Sequence, residues 1–388
     1  MTEKNKSIRN FPNYGNVPKL RFSEFTKEWE LKKLGDIGEI VNGLTYNPDN
    51  IDDSGILVLR SSNVQNRIVT LKDNVFVKTE KFNPVRENDI LICVRNGSKN
   101  LIGKNAIIKK ENEGLAFGAF MTVFRSPYNK FVFQWFDTKQ YKEIVNKNLG
   151  ATINSINGSD LKKFKIPFPS LDEQKKISSL LSLVDDRIEL SMKIISHLKT
   201  SIRSYRKKLF SQKIRFKDEN ENYFPKWETK KIKDILKIGS GRDYKHLEAG
   251  TIPVYGTGGI ITFVDSFLYD GETVCIGRKG TIDRPLYFDG KLWTVDTLFY
   301  THSFNNSIPK FIFHIFQSIN WKEYNEASGV PSLSKSTIEN ITVKIPSVEE
   351  QTKIANFLFS IGAKIETEKK ILNQYETQKK YLLANLFV

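Results

Sequence analysis

The stretch IPFPSLDEQKKISSLLSLVDDRIELSMKIISHLKTSIRSYRKKLF, residues 166–210, decides the fold. No proline or glycine occurs from Asp172 to Ser211, and apolar residues recur there at alternating steps of three and four. That spacing places them along one face of an α-helix and is typical of a helix that packs against another helix. At 1.5 Å per residue, a helix of about 39 residues would extend roughly 58 Å.

The same seam occurs again near the C-terminus. Its first copy contains Ile177, Leu181, Val184, Ile188, Ser191, Ile195, Leu198, Ile202, Tyr205 and Leu209. Its second copy contains Ile354, Leu358, Ile361, Ile365, Glu368, Leu372, Tyr375, Lys379, Leu382 and Leu386. Polar Ser191 and Glu368 fall at the same step, whereas Lys379 has no polar counterpart. A helix that packs only on its own globular domain would not need so regular a seam, so we expect a coiled coil.

The starts of both helices are recognisable. Ser170 and Ser347 each stand three residues before a glutamate, which is the spacing of a capping box. The acidic first turns suit the positive end of a helix, and prolines stand just before each serine. We therefore expect a sharp boundary between a globular part and a helix in both copies.

The repeat extends well beyond the helices. WELKKLGDIGEIVNGLTY (29–46) returns as WETKKIKDILKIGSGRDY (227–244), and GATINSINGSDLKKFKIPFPSLDEQKKI (150–177) returns as GVPSLSKSTIENITVKIPSVEEQTKI (329–354). The order of the blocks is the same in both halves. A repeat unit of about half the chain is too long for a solenoid and indicates a duplicated domain.

The pattern predicts an α+β fold with two globular domains of similar fold, separated by two long helices that form an antiparallel coiled coil with pseudo-twofold symmetry. Short β-type runs separated by Gly, Asn and Asp turns fill the globular parts, with a short helix around 131–147 and another around 309–325. The predicted segments are an N-terminal extension (1–17), a first domain (18–167), a central helix (168–212), a second domain (213–346) and a C-terminal helix (347–388).

Composition limits the class of protein. Apolar residues make up 39% of the 388 residues, as in a globular protein, and no stretch approaches 18 uninterrupted apolar residues, so we expect no membrane span. The basic N-terminus has no apolar core, so it does not resemble a secretory signal. With only Cys93 and Cys275, placed in comparable strands, we expect no disulfide framework and a cytoplasmic location.

The formal net charge of +16 favours a polyanionic partner. Residues 18–167 carry 24 Lys and Arg against 17 Asp and Glu (+7), whereas residues 213–346 carry 18 against 16 (+2). The excess therefore belongs to folded segments. Two similar domains related by antiparallel helices can place equivalent faces on two separated half-sites of duplex DNA, and because the domains differ in sequence the half-sites should differ too.

With these features, the chain resembles the specificity subunit (HsdS) of a type I restriction–modification system. The resemblance rests on IPFPSLDEQKKI (166–177) and IPSVEEQTKI (345–354), each opening a heptad helix after a target-recognition domain, and on YGTGGI and GRKGT in the second domain. It covers essentially the whole chain. It implies a non-catalytic reader of double-stranded DNA in phage defence, assembled with two methyltransferase (HsdM) and two restriction (HsdR) subunits. S-adenosylmethionine, ATP and Mg²⁺ would then be used by those partners.

The residues offer no catalytic alternative. An Asn-Pro-Pro-aromatic loop, a phosphate-binding Gly-x4-Gly-Lys-Ser/Thr loop, a complete dinucleotide fingerprint and a zinc-ligand cluster are all missing from the sequence. A coiled-coil scaffold that holds a protein complex without reading DNA stays open as an alternative. A self-sufficient restriction enzyme fragment is disfavoured.

Polar and aromatic side chains on loops at strand ends are the candidates for DNA contact. In the first domain they are Arg60, Ser61, Ser62, Asn63, Arg95, Asn96, Ser98, Lys99, Lys104 and Thr152. In the second domain they are Arg242, Tyr244, Lys245, Tyr255, Thr257, Arg278, Lys279, Thr281, Ser334 and Lys335. Arg95 and Arg278 are favoured because each follows a cysteine-containing strand and leads into a glycine turn. We expect both cysteines to be buried strand thiols.

Overall fold

A computed structural model of the chain describes residues 8–10, 16–149 and 154–388. The chain forms two compact units. Unit 1 comprises Met1–Leu190 and Leu372–Val388, and unit 2 comprises Ser191–Ile371. Each long helix therefore contributes one end to each unit.

The first half of the chain alternates short strands and helices. Its strands are β1 (Ile8–Asn10), β2 (Leu20–Phe22), β3 (Glu30–Lys33), β4 (Glu39–Asn42), β5 (Ile51–Leu59), β6 (Val64–Gln65), β7 (Ile68–Val69), β8 (Phe76–Val77), β9 (Ile90–Cys93), β10 (Asn105–Ile107), β11 (Ala116–Phe117), β12 (Met121–Arg125) and β13 (Lys165–Phe168). Its helices are α1 (Leu34–Ile37), α2 (Asn129–Trp135), α3 (Lys139–Lys147), α4 (Gly158–Lys162) and the long α5 (Leu171–Phe210).

The second half repeats this order with small changes. Its strands are β14 (Glu228–Lys231), β15 (Lys237–Ser240), β16 (Ala249–Gly256), β17 (Gly259–Val264), β18 (Tyr269–Asp270), β19 (Thr273–Gly277), β20 (Leu286–Phe288), β21 (Lys291–Thr294), β22 (Leu298–His302) and β23 (Thr342–Ile345). Its helices are α6 (Ile232–Ile235), α7 (Pro309–Phe316), α8 (Lys335–Asn340) and the long α9 (Val348–Leu386).

The two units share one sheet topology. The antiparallel sheet β10-β9-β12-β4 of unit 1 corresponds to β20-β19-β22-β15 of unit 2. Strand β5, between parallel β11 and antiparallel β8, corresponds to β16 between parallel β21 and antiparallel β17. The pairs β3–β13 and β14–β23 complete the match. The prediction of an α+β fold with two domains of similar fold is confirmed.

The long helices pack in opposite directions within each unit. In unit 1 the early part of α5, with Ile177 and Leu181, shares a core with the end of α9, where Leu386 lies. In unit 2 the end of α5, with Leu209, shares a core with the start of α9, where Leu358 lies. The predicted seam therefore packs as an antiparallel pair in both places.

The glutamate of the repeated Ser-x-x-Glu-Gln phrase has a role that the capping-box prediction missed. Ser347 Oγ does accept the Glu350 N–H, at 3.4 Å. The buried glutamate side chains, however, turn away from the cap and each accept two hydrogen bonds from one arginine, Arg21 in unit 1 and Arg215 in unit 2. These bidentate pairs fix the segment before each domain to the first turn of its helix. The reciprocal half of the predicted capping box was therefore wrong.

One further prediction needs correction, and the alignment of the two cysteines can be made more exact. The helix expected around 131–147 is broken into α2 and α3, because Thr138 ends one turn and accepts the Tyr141 N–H as the cap of the next. The two cysteines lie in equivalent strands and are buried, as predicted. However, Cys93 faces the first residue of β12 and Gly277 faces the first residue of β22. Cys93 thus corresponds to Gly277, and Cys275 lies two residues earlier in its strand.

Candidate nucleic-acid interface

Loops at one end of the unit 1 sheets form a single hydrogen-bonded cluster, which we call loop cluster 1 (residues 43–44, 59–63, 95–98, 118–120 and 154–155). Asn96 Nδ2 donates to Ser61 Oγ at 3.0 Å, which joins the first two segments. The Arg95 N–H donates to the Phe120 carbonyl at 3.2 Å, and the Asn96 N–H donates to the Asn154 carbonyl at 3.2 Å. Residues far apart in sequence therefore present one continuous surface.

Unit 2 builds the equivalent surface, loop cluster 2 (residues 241–242, 255–257, 278–281, 294–297 and 331–333). The Arg278 N–H donates to the Thr297 carbonyl at 2.8 Å, and the Arg242 N–H donates to the Thr294 carbonyl at 2.8 Å. The Gly280 N–H donates to the Pro331 carbonyl at 2.8 Å. The same set of backbone hydrogen bonds recurs in both clusters, so many of their side chains are free to differ.

One glycine in each cluster is required by close approach of two backbones. A Cβ on Gly43 would lie 2.2 Å from the Gly118 carbonyl oxygen, and a Cβ on Gly241 would lie 2.0 Å from the Val295 carbonyl oxygen. Both glycines directly follow the equivalent strands β4 and β15. They let the chain cross the segment that carries Phe120 or Thr297.

Matching the backbones also pairs the predicted arginines differently. Arg95 forms an isolated β-bridge with Ser155, and Lys279 forms the same bridge with Ser332. Arg95 therefore corresponds to Lys279, and Arg278 is one residue earlier. Both predicted arginines therefore lie at the same strand end but one residue out of register, and Arg278 takes the place that Val94 has in unit 1.

Several predicted contacts are exposed cations. They are Arg95, Lys99, Arg242, Lys245, Arg278 and Lys279, with half-buried Lys104 beside them. Within the described part of the chain none of these seven forms a salt bridge, so each keeps its charge available to a partner. Arg95 and Arg278 also lie 5.8 Å and 5.9 Å from the ring centres of Phe120 and Phe299.

Other predicted residues hold the loops together. Asn63 is fully buried and donates to the Thr70 carbonyl, while Arg60 pairs with Asp73 at 2.9 Å. Ser334 caps α8, and Lys335 lies 3.7 Å from Glu339. Tyr244 packs on Val254 and Trp293, and burial raises the pKa of Tyr255. We therefore leave Asn63 out of the proposed interface.

The remaining predicted residues divide by position. Ser98 is exposed, whereas Ser61, Ser62, Asn96, Thr257 and Thr281 are half-buried within the clusters. Thr152 lies outside the described residues. Lys99 and Lys104 line a pocket of about 400 Å³ in unit 1, whose wall includes Arg67. The Arg67 guanidinium is 3.8 Å from the centre of the Phe133 ring and donates to Asn105 Oδ1 at 2.8 Å.

Comparisons with known proteins identify the family of the chain. The family model described as "Type I restriction modification DNA specificity domain" matches residues 26–200 and 225–377. The chain belongs to this family. It is 24% identical over 399 residues to the EcoKI specificity subunit of Escherichia coli, covering 89% of this chain and 84% of the relative. It is 24% identical over 430 residues to the MjaVIII specificity subunit of Methanocaldococcus jannaschii, covering 97% and 96%.

The fold has a solved counterpart. The S subunit of a type I restriction–modification system from M. genitalium matches with a TM-score of 0.69 at 22% identity, covering 96% of this chain and 99% of that one. The function of the specificity family is recognition of a DNA sequence, so the predicted reader of DNA is confirmed at the level of the family. Among the described residues, no helix is long and apolar enough to span a membrane.

Three exposed residues at or near the loop clusters were not among the predicted contacts. Phe120 and its exposed neighbours were not considered because an apolar residue at a strand end resembles part of the strand. Arg284 precedes β20 as Lys104 precedes β10, so it is the unit 2 counterpart of a predicted contact. Asp296, next to Thr297, is a carboxylate that can accept a hydrogen bond from cytosine N4. The repeat would have revealed Arg284 if the strands had been aligned in the correct register.

Proposed function

We propose that this chain reads an asymmetric, two-part DNA target and positions methyltransferase and restriction subunits on it. One observation carries the proposal: two loop clusters share a backbone scheme but present different side chains. Leu44 in unit 1 stands where Arg242 stands in unit 2, and Phe120 stands where Thr297 stands. Two readers of equal framework and unequal side chains fit two half-sites of different sequence.

The unpaired cations support a role on DNA. An arginine can donate two hydrogen bonds to guanine O6 and N7, whereas a lysine beside a phosphate contributes affinity without specificity. We therefore assign direct reading to Arg95 and Arg242, and contact with the DNA backbone to Lys99, Lys104 and Lys245. The cytoplasm is the location where such a complex would meet DNA.

We place the catalytic steps in partner subunits, two methyltransferase (HsdM) and two restriction (HsdR) subunits. S-adenosylmethionine, ATP and Mg²⁺ would be bound there. This chain has no phosphate-binding loop in its sequence, and no group of three His, Cys, Asp or Glu side chains in the described ranges is arranged to hold a metal ion. The role that we propose for this chain is to hold and orient those subunits on DNA, without a catalytic step of its own.

Methylome sequencing of cells that carry the system would give the target. Mobility-shift titrations of the chain assembled with its methyltransferase subunits would then test each reader, using duplexes with one half-site scrambled. Replacing an arginine that reads a guanine costs about 1–3 kcal/mol, or roughly 5-fold to 150-fold in Kd. We expect Arg95→Gln to lower affinity for the intact target but to have no further effect once the first half-site is scrambled.

A matched control separates reading from charge. Lys139→Gln removes the same charge from unit 1 at a side chain that is 91% exposed and lies outside loop cluster 1. It should leave the preference for the intact target unchanged. Sequence-independent binding by the wild-type complex, or no salt-sensitive binding to any duplex, would overturn the proposed function and favour a protein scaffold.

A further inference from the structure

Phe120 is an exposed aromatic ring among the polar side chains of loop cluster 1. Phe120 is 56% exposed, although burial of a phenylalanine side chain is worth about 1.5–3 kcal/mol. A single exposed apolar residue is common on protein surfaces. Its position beside the exposed cation Arg95 distinguishes this one.

The backbone holds the ring in place. The Phe120 carbonyl accepts the N–H groups of Val94 and Arg95 at 3.0 and 3.2 Å. On either side, the Ala119 N–H donates to the Leu44 carbonyl at 2.9 Å, and the Met121 N–H donates to the Gly118 carbonyl at 2.8 Å. A residue on such a braced turn loses little backbone freedom when a partner covers it.

The fold does not require an aromatic residue at this position. In unit 2, Thr297 has the same backbone bonds, with its carbonyl accepting the N–H groups of Arg278 and Lys279 at 2.8 and 3.3 Å. The ring therefore serves something other than the stability of the loop. Because the side chain differs between two surfaces with equivalent backbones, we attribute the difference to recognition.

We propose that Phe120 contacts the C5 methyl group of a thymine that lies within two base pairs of a guanine read by Arg95. This deepens the proposed function and rests on it. Apolar contact with the thymine methyl and bidentate donation to guanine are the pairings that these two side chains make in the major groove. The Arg95 guanidinium carbon is 5.8 Å from the Phe120 ring centre, which corresponds to less than two base-pair rises of about 3.4 Å.

The thymine methyl can be removed without disturbing base pairing. In the assembled complex with methyltransferase subunits, each thymine of the first half-site would be replaced singly by deoxyuridine, and Kd measured by mobility shift. Loss of one buried methyl group is worth about 0.8 kcal/mol, so one such replacement should weaken wild-type binding about fourfold. In Phe120→Thr, whose side chain is the one unit 2 carries, the shorter side chain ends before the position of the ring, so the same replacement should have a smaller effect than in the wild type.

Two control variants test whether the response to deoxyuridine is specific to Phe120. Phe120→Leu keeps an apolar side chain and should retain part of the response to deoxyuridine. Thr297→Ala changes the equivalent position of unit 2 and should leave the response in the first half-site unchanged. A thermal scan of Phe120→Thr should match the wild type, since Thr297 has the same backbone bonds.

The inference is overturned if the protein substitution and the DNA substitution affect Kd independently of each other. If Phe120→Thr and every deoxyuridine replacement weaken binding by factors that simply multiply, the ring does not contact a methyl group. A first half-site composed only of G·C pairs would overturn it equally. Failure of the proposed function is distinguishable, because the wild-type complex would then show no preference for the intact target.

Discussion

Lys379 is a buried cation in the apolar seam of α9, and its removal should destabilise unit 1. Its side chain is 9% exposed, and Nζ lies 2.6 Å from Asp137 Oδ2 and 2.6 Å from Asp185 Oδ1. Burial opposes ionisation of Asp137, but the nearby cations Arg67 and Lys379 outweigh it and hold the pKa of Asp137 below its ordinary value. The three groups form one charge network between α9, α5 and the segment after α2.

The magnitude follows from what each carboxylate would keep. In Lys379→Leu, Asp137 would still lie 3.5 Å from Arg67, and Asp185 would still accept from Gln134 Nε2 at 2.8 Å. Leaving a buried charge without its partner costs 3–5 kcal/mol in general. Since both carboxylates keep a second partner, we expect about 3 kcal/mol. The double variant Lys379→Leu/Asp185→Ala should cost only about 1 kcal/mol, because it removes one orphaned charge.

Hydrogen exchange read by mass spectrometry suits this test, because two units need not unfold in one step. Peptides within 171–190 and 372–388 should lose about 3 kcal/mol of protection in Lys379→Leu, whereas Lys380→Leu, the same substitution at the next exposed position, should change it by less than about 0.5 kcal/mol. If Lys379→Leu proved as stable as the wild type, or more so, the network would not stabilise this end of the helix pair. The seam would then simply prefer leucine.

Three further predictions concern other parts of the fold. Burial, with some help from Arg206, lowers the pKa of His314 to about 3. The unfolded chain therefore binds a proton below about pH 6.5 where the folded chain does not, so the free energy of unfolding falls as pH drops. In the wild type this histidine should account for about 1.4 kcal/mol of the loss between pH 7.5 and pH 5.5. His314→Gln should remove that part of the loss when both pH values are compared by urea denaturation. Gly241→Ala should lower the melting temperature of unit 2, whereas Gly258→Ala, with open space at its Cβ, should not; equal melting temperatures would contradict the close approach. Arg21→Leu should destabilise unit 1 by about 3–5 kcal/mol because it strands buried Glu173, and a loss below about 1 kcal/mol in denaturation would show that the pair is dispensable.

Local patterns were enough to predict the long helices and the duplication. The seam of α5 and α9 is a periodic signal within one element, and the starts at Leu171 and Val348 lie one residue after the predicted caps. The loop positions were predictable too, because they follow apolar strands and carry glycine. The exact alignment of the unit 1 strands with those of unit 2 was not predictable. Strand side chains alternate with a period of two, so a two-residue shift conserves the pattern.

Contacts between distant segments left no local signal. Arg21 and Glu173 are 152 residues apart, and nothing around Arg21 marks it as the partner of a helix start. The repeat did contain the information, because KLRF (19–22) returns as KIRF (213–216). Asn63 was misjudged for a related reason. A polar residue on a loop can use its side chain to hydrogen-bond within the loop, and only the structure shows that the Asn63 amide is buried and bonded in this way.

The way in which the loops are held bears on how recognition can change. Hydrogen bonds from backbone N–H groups fix the segments that carry Phe120 and Thr297, and a glycine in each unit admits the crossing chain. None of these contacts depends on the side chains at 119, 120, 296 or 297. Substitutions there alter what the surface offers to a base at little cost to the fold, since surface changes away from caps and cores rarely exceed about 0.5 kcal/mol. By contrast, each Arg–Glu pair that joins a domain to its helix is bidentate and holds a fully buried glutamate, so a change in either partner is expensive. The fold thus separates a variable reading surface from a fixed connection to the helices that carry it.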